Sequence, residues 1–149
     1  MRRIAALLAV SVGLGVATPA APASAAPAEI KMVKKLNKIR RAHGVARLRP
    51  SYSLFVSAKL YALRMMRWDY FGHQARIPVA SRWRAAGETL AWHSGWRLSP
   101  RRTVRRWMNS PSHRAVLLSS RFNRVGVGRS RGNYGGRRAT MWVAHVGHR

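Results

Sequence analysis

The chain contains no cysteine, and only three of its 149 residues are acidic. The first absence excludes disulfides, thiol nucleophiles, cysteine zinc sites and iron–sulfur clusters together, so any metal must be held by histidine and carboxylate. The second leaves 29 lysines and arginines almost without counter-charge, for a formal charge of +26. Such a surface repels itself and attracts polyanions through a field that weakens with salt. Arginine supplies 24 of these 29 residues, a bias that a GC-rich genome also produces. The arginines are scattered, with local pairs at Arg101-Arg102, Arg105-Arg106 and Arg137-Arg138. No recognised nucleic-acid motif accompanies them, which argues against a sequence-specific reader of DNA or RNA. What the chain does have is apolar surface: 47 % hydrophobic residues and six tryptophans. That is enough for one packed domain and too much for a disordered basic tail.

Long hydrophobic runs are scarce as well. The single one, Ile4 to Val16, follows Met1-Arg2-Arg3 and precedes Ala23-Ser24-Ala25. A positive start, a short apolar stretch and a small-x-small cleavage site read as a secretory signal peptide over residues 1–25, leaving one exported domain over 26–149. The run is shorter than the ~20 apolar residues a spanning helix needs, and no later stretch approaches that length. Outside a cell, the partners for so basic a surface are anionic cell-wall polymers, lipid head groups or shed nucleic acid.

Met32, Val33, Leu36, Ile39 and His43 share one face at helical spacing, with Lys31, Lys34, Lys35 and Lys38 opposite and Gly44 as the stop. A second helix starts near Ser51 and repeats apolar side chains at Leu54, Ala58, Tyr61, Ala62 and Met65, most simply core. Ser99-Pro100 and Ser110-Pro111 each pair a cap with a first-turn proline and predict two further helices. Phe122 to Gly128 and Thr140 to Val146 read as strands joined across a loop marked by Gly132-Asn133 and Gly135-Gly136. Gly126, Gly128 and Gly132 miss the dinucleotide-binding spacing by one residue, and no helix follows, so a hairpin is expected instead. Helices first and strands later predict an α+β domain around a small antiparallel sheet.

Each acid has a separate reading. Glu29 complements the positive end of the first helix. Asp69 pairs with an arginine or caps a turn. Glu88 enters the mostly apolar run Leu90-Ala91-Trp92, where a carboxylate is costly unless paired, coordinated or hydrogen-bonded. An ion pair with arginine and a functional acid or metal ligand fit it equally well. His113 stands three positions after the cap Ser110, where the helix end disfavours imidazolium and keeps a lone pair available. His73, in Phe71-Gly72-His73-Gln74, sits in a loop-like break that can aim a side chain. His43, His93, His145 and His148 are expected as ordinary hydrogen-bonded or exposed rings; a chelating pair is the alternative for the last two, with a frayed terminus the expected setting.

Five elements in order, Leu36-Asn37-x-x-Arg40-x-x-His43-Gly44, Phe71-Gly72-His73, Gly87-Glu88-Thr89-Leu90-Ala91, Trp107-Met108-Asn109-Ser110-Pro111-Ser112-His113-Arg114 and Val125-Gly126-Val127-Gly128, resemble the bacterial branch of the CAP superfamily. These SCP-like domains are named for cysteine-rich secretory proteins, antigen 5 and pathogenesis-related class 1 proteins. The resemblance implies a CAP-type α-β-α sandwich with a small antiparallel sheet between helices, and a cleft where His73, Glu88 and His113 meet. It further implies that two histidines can hold Zn2+ or another divalent metal, and that a small lipid or peptide is a candidate ligand. The chain departs from the animal and plant pattern: Ser110 falls where a second cleft Glu is expected, Thr89 where Asn is usual, and His145-Val146-Gly147 where relatives often carry Asp-Phe-Gly.

Three functions follow as expectations. The first is a secreted or envelope-associated monomer that binds a metal or small ligand in the cleft and anionic polymers on its surface. The second is a metal-dependent hydrolase in which His73, His113 and Glu88 are ligands or Glu88 is the catalytic base. The third is a polyanion-binding or antimicrobial protein with a vestigial cleft.

Overall fold

Thr140 to Val146 is apolar at nearly every position because the strand that contains it is covered on both faces. The computed structural model describes residues 27–78, 83–96 and 99–149, so the predicted signal peptide lies outside the described residues. In chain order the elements are α1 (Pro27–Ala42), β1 (Arg49–Pro50), α2 (Tyr52–Arg67), β2 (Ala85–Ser94), α3 (Pro100–Asn109), α4 (Pro111–Leu118), β3 (Arg124–Tyr134) and β4 (Arg137–His148). The sheet order is β1-β3-β4-β2, antiparallel except where β1 runs parallel to β3. Met141 and Val143 of β4 pack with Ala58, Tyr61, Ala62 and Met65 of α2. Trp142, Ala144 and Val146 pack on the other face with Met32 and Leu36 of α1, Val104 and Trp107 of α3 and Leu117 of α4. The result is the expected α-β-α sandwich, with a β-branched and aromatic central strand shielded by helices on either side.

The hairpin differs from the expectation in length. Only Gly135 and Gly136, at φ of +57° and +71°, form the turn, and Gly132-Asn133 lies inside β3. The Val-Gly alternation of β3 has a steric reason. Val125 and Val127 fill the core under α1 and α3, while a Cβ on Gly126 would fall on the backbone of Leu54 and Phe55, and one on Gly128 on that of Ala58 and Lys59. These glycines are the seat of α2, which lies against the sheet backbone itself.

Helix α1 follows its periodicity, with Met32 and Leu36 buried and all four lysines exposed. Its buried face also takes in Asn37 and Arg40, whereas His43 is exposed and bonds back to the Ile39 carbonyl. Arg40 donates to the carbonyls of Ala46, Leu117, Ser119 and Phe122 at 2.7, 2.7, 3.0 and 3.2 Å. One guanidinium thereby ties the end of α1 to the exit of α4 and the approach to β3. Ser99 caps α3 through its side chain as expected, at 3.4 Å from the Arg102 amide, but the Ser110 side chain makes no cap bond to α4.

His93 joins β2 to α3. Arg106 Nη1 donates to its Nδ1 at 2.8 Å, which leaves Nε2–H to donate to Thr103 Oγ1 at 3.2 Å. Burial, then the charges of Arg106 and Arg102, push its pKa down to about 4. The unfolded chain takes up this proton near pH 6.5 and the fold resists it, so the stabilisation is complete above pH 6.5 and is lost as pH falls toward 4.

Two outcomes are expected. In urea unfolding, Gly128→Ala loses about 3 kcal/mol or more through overpacking against helix backbone, while Gly72→Ala, whose Cβ meets nothing within 4 Å, changes stability by less than about 0.5 kcal/mol. In a pH series, the unfolding free energy falls by about 2 kcal/mol more between pH 6.5 and 5 in the wild type than in His93→Gln.

Candidate functional site

The register of the sheet places Glu88 of edge strand β2 directly opposite His145 of β4. Both side chains project toward α2, beyond Leu90 and Val143 on the same face. His145 is fully buried, its ring stacked on Tyr61 at 6.4 Å between centroids and 30° between planes. Its Nε2 lies 2.9 Å from Glu88 Oε2. The Glu88 side chain is only 5 % exposed.

The remaining partners arrive on the segment that follows α2. Asp69 turns the chain in a left-handed conformation, φ +49°, and accepts the Gly135 amide of the hairpin at 2.6 Å, so it caps a turn. Tyr61 then donates its hydroxyl to the Gly72 carbonyl; burial, first, and neighbouring Tyr70 raise its pKa and keep it a donor. This fixes the next two residues against Glu88. His73 Nδ1 is 2.8 Å from Oε1, and Gln74 reaches both oxygens, with its backbone amide 3.4 Å from Oε1 and its Nε2 2.8 Å from Oε2.

A carboxylate only accepts hydrogen bonds, so these distances assign protons. His145 must carry hydrogen on Nε2, and its Nδ1 is buried without a partner among the described residues. Gln74 Nε2 and His145 Nε2, 3.1 Å apart, are two donors converging on Oε2. Neutral His73 must carry hydrogen on Nδ1, which leaves Nε2 as a free lone pair. Burial pushes the Glu88 carboxyl up, but the hydrogen bonds from His145, Gln74 and His73 outweigh it and hold the group below its ordinary value. Glu88 is therefore ionised. In a chain with 29 basic residues its partners are two imidazoles and an amide, not the arginine that composition offered.

His113 enters from the first turn of α4. Its ring centroid is 6.1 Å from that of His73, with the planes tilted by 39°. Its Nδ1 contacts Ser110 Oγ at 3.0 Å, so the serine hydroxyl faces this ring instead of capping the helix. Burial, then the neighbouring His73, lowers the His113 pKa, in the direction expected at a helix start. Both rings thus have Nδ1 engaged, and neither Nε2 meets a hydrogen-bond partner among the described residues; His113 presents a lone pair there when its Nδ1–H donates to Ser110 Oγ, and the His73 side chain is 58 % exposed.

The three residues singled out from sequence, His73, Glu88 and His113, come together at the β2 edge. The expectation for His145 is corrected: β4 continues to His148, and His145 is a buried partner of Glu88, not a ring at a frayed end. A histidine inside an otherwise apolar strand is the available signal, because a buried imidazole needs a partner. Gln74 carries no such signal. Among the described residues, no group of three or more His, Cys, Asp or Glu is arranged to hold a metal ion. A groove of about 1070 Å3 lies between α1 and the β1–α2 corner, at the opposite edge of the sheet, and holds none of these groups. Convergent chemistry, not volume, marks the candidate site.

A family model described as "CAP: Cysteine-rich secretory protein family" matches residues 33–146. The uncharacterized protein YkwD of Bacillus subtilis is 31 % identical over 120 residues, covering 74 % of this chain and 46 % of that protein. The chain thus spans about half the length of that relative. Among solved structures, an outer surface protein of Borrelia burgdorferi matches with a TM-score of 0.65 at 20 % identity, covering 81 % of this chain and 92 % of that one. An SCP-domain extracellular protein of Bacillus anthracis matches with a TM-score of 0.65 at 19 % identity, covering 81 % and 40 %.

Proposed function

Because this chain belongs to the cysteine-rich secretory protein (CAP) family, we propose that it is an exported domain of the bacterial envelope or exterior in which His73 and His113 bind a divalent metal such as Zn2+, with anionic envelope polymers held on the surrounding basic surface. The observation that carries the metal reading is the pair of neighbouring imidazoles whose Nδ1 atoms are occupied by Glu88 and Ser110. A carboxylate behind a histidine fixes its tautomer and raises the basicity of the nitrogen turned outward. Neutral imidazole is the ligating form, and the lowered pKa of His113 keeps it neutral at physiological pH. In this reading Glu88 orients a ligand and does not itself bind metal, since its oxygens already accept bonds from His73, Gln74 and His145. Two protein ligands make a weak, open site whose other positions go to water or to a polar group of a small ligand.

Export and envelope attachment are supported by the leader-like residues 1–25 and by the extracellular and outer-surface descriptions of the structural neighbours. Among the described residues no helix is long and apolar enough to cross a membrane. The charge of +26 supplies the attraction for wall polymers. Hydrolysis at the same cleft gains no support from the geometry, because the one carboxylate available as a base is committed to the hydrogen bonds that hold the cleft together.

Zinc titration by calorimetry tests the site. His73→Ala and His113→Ala are each expected to lose at least ~10-fold in affinity, and Glu88→Gln about 10–100-fold with both ligands still present. Unchanged affinity in both histidine variants overturns the metal reading. Binding to a purified anionic wall polymer is expected to survive His73→Ala and to disappear near ~0.5 M salt, where surface charges no longer act at a distance.

A further inference from the structure

Helix α2 has two apolar faces, and the sheet covers only one. Leu54, Ala58, Tyr61, Ala62 and Met65 are buried. On the outer side, Tyr52, Val56, Leu60 and Leu63 recur at i, i+4, i+8 and i+11, which places them within about 80° of arc at 100° per residue. Leu60 is 61 % exposed and Tyr52 58 %. Trp68, at the C-terminal end of the helix, is 69 % exposed. A solvated helix face is ordinarily polar, and a contiguous apolar stripe of this kind marks a contact surface.

Charge chooses among the occupants. A second copy would bring together two surfaces of the same sign, each chain carrying +26, against strong repulsion. An anionic bilayer satisfies both parts of the face. The apolar stripe enters the boundary between head groups and acyl chains, Arg64 and Arg67 meet anionic head groups, and Trp68 has the amphipathic ring favoured at that level. We propose that the outer face of α2 is a docking surface for anionic lipid bilayers, on which the domain lies without spanning the membrane. This goes beyond the metal site and shares with the envelope reading only the positive charge.

The absence of cysteine makes the test clean, because one introduced thiol takes an environment-sensitive fluorophore uniquely. The full chain is labelled through Leu63→Cys or, as control, through Lys35→Cys on the exposed face of α1, across the sheet. Vesicles containing phosphatidylglycerol are expected to blue-shift the emission at position 63 and leave position 35 unchanged. Vesicles of phosphatidylcholine alone shift neither. Binding driven by the N-terminal apolar segment alone would not move the label at position 63, so it counts against the proposal. Adding Val56→Ser and Leu60→Ser is expected to weaken the phosphatidylglycerol response about tenfold or more, while circular dichroism confirms the fold. The proposal is overturned by an equal shift at position 35, by the same shift with soluble polyphosphate, or by a lipid-free dimer in sedimentation that buries the label. Zinc affinity is measured on the same samples, so the outcome for the metal site stays separate.

Discussion

A buried carboxylate on an edge strand has to be surrounded by donors, and most of the architecture around the β2 edge serves that need. Glu88 takes hydrogen bonds from three residues: His145 across the sheet, His73 and Gln74 from the loop after α2. Without them the charge would stand desolvated beside Tyr61 and Leu90, at a cost of several kcal/mol. With them it becomes the fixed point that links the sheet to the loop and sets which nitrogen His73 presents to His113. Because all three donors are neutral or weakly basic, the cluster keeps its geometry without drawing an arginine into the cleft.

That fixed point depends in turn on how closely α2 approaches the sheet. Gly126 and Gly128 lack the Cβ atoms that would hold the helix away. At that close range, the Tyr61 ring reaches His145 and its hydroxyl reaches the Gly72 carbonyl. A short chain of contacts therefore runs from two strand glycines through one tyrosine to the orientation of His73. Each step is a packing or hydrogen-bond constraint with little freedom to adjust, since interiors are close-packed.

The helices are legible because their signals are local: the lysine-faced periodicity of α1 and the Ser-Pro starts of α3 and α4. The sandwich and the meeting of His73, Glu88 and His113 are legible only through family resemblance, since residues 15 and 25 positions apart carry no local sign of contact. Strand β2 escapes a sequence reading because Ala85–Ser94 mixes polar and apolar residues without clean alternation, and its pairing with β4 is long-range. The near-miss glycine spacing in β3 is not a nucleotide motif, and its purpose as a helix seat becomes visible only with α2 in place. His145 illustrates the remaining gap, for position near a terminus suggests fraying, whereas its place in a strand covered on both faces requires burial and a partner.

Glu88 fixes the protons on two rings, and nitrogen-detected NMR of 15N-histidine protein reads this directly. At pH 7.5, His145 is predicted to be the Nε2–H tautomer and His73 predominantly the Nδ1–H tautomer, with Glu88→Gln shifting His73 toward the Nε2–H form that free imidazole prefers. A wild-type His73 already in the Nε2–H form, or His145 protonated at Nδ1 alone, would contradict it.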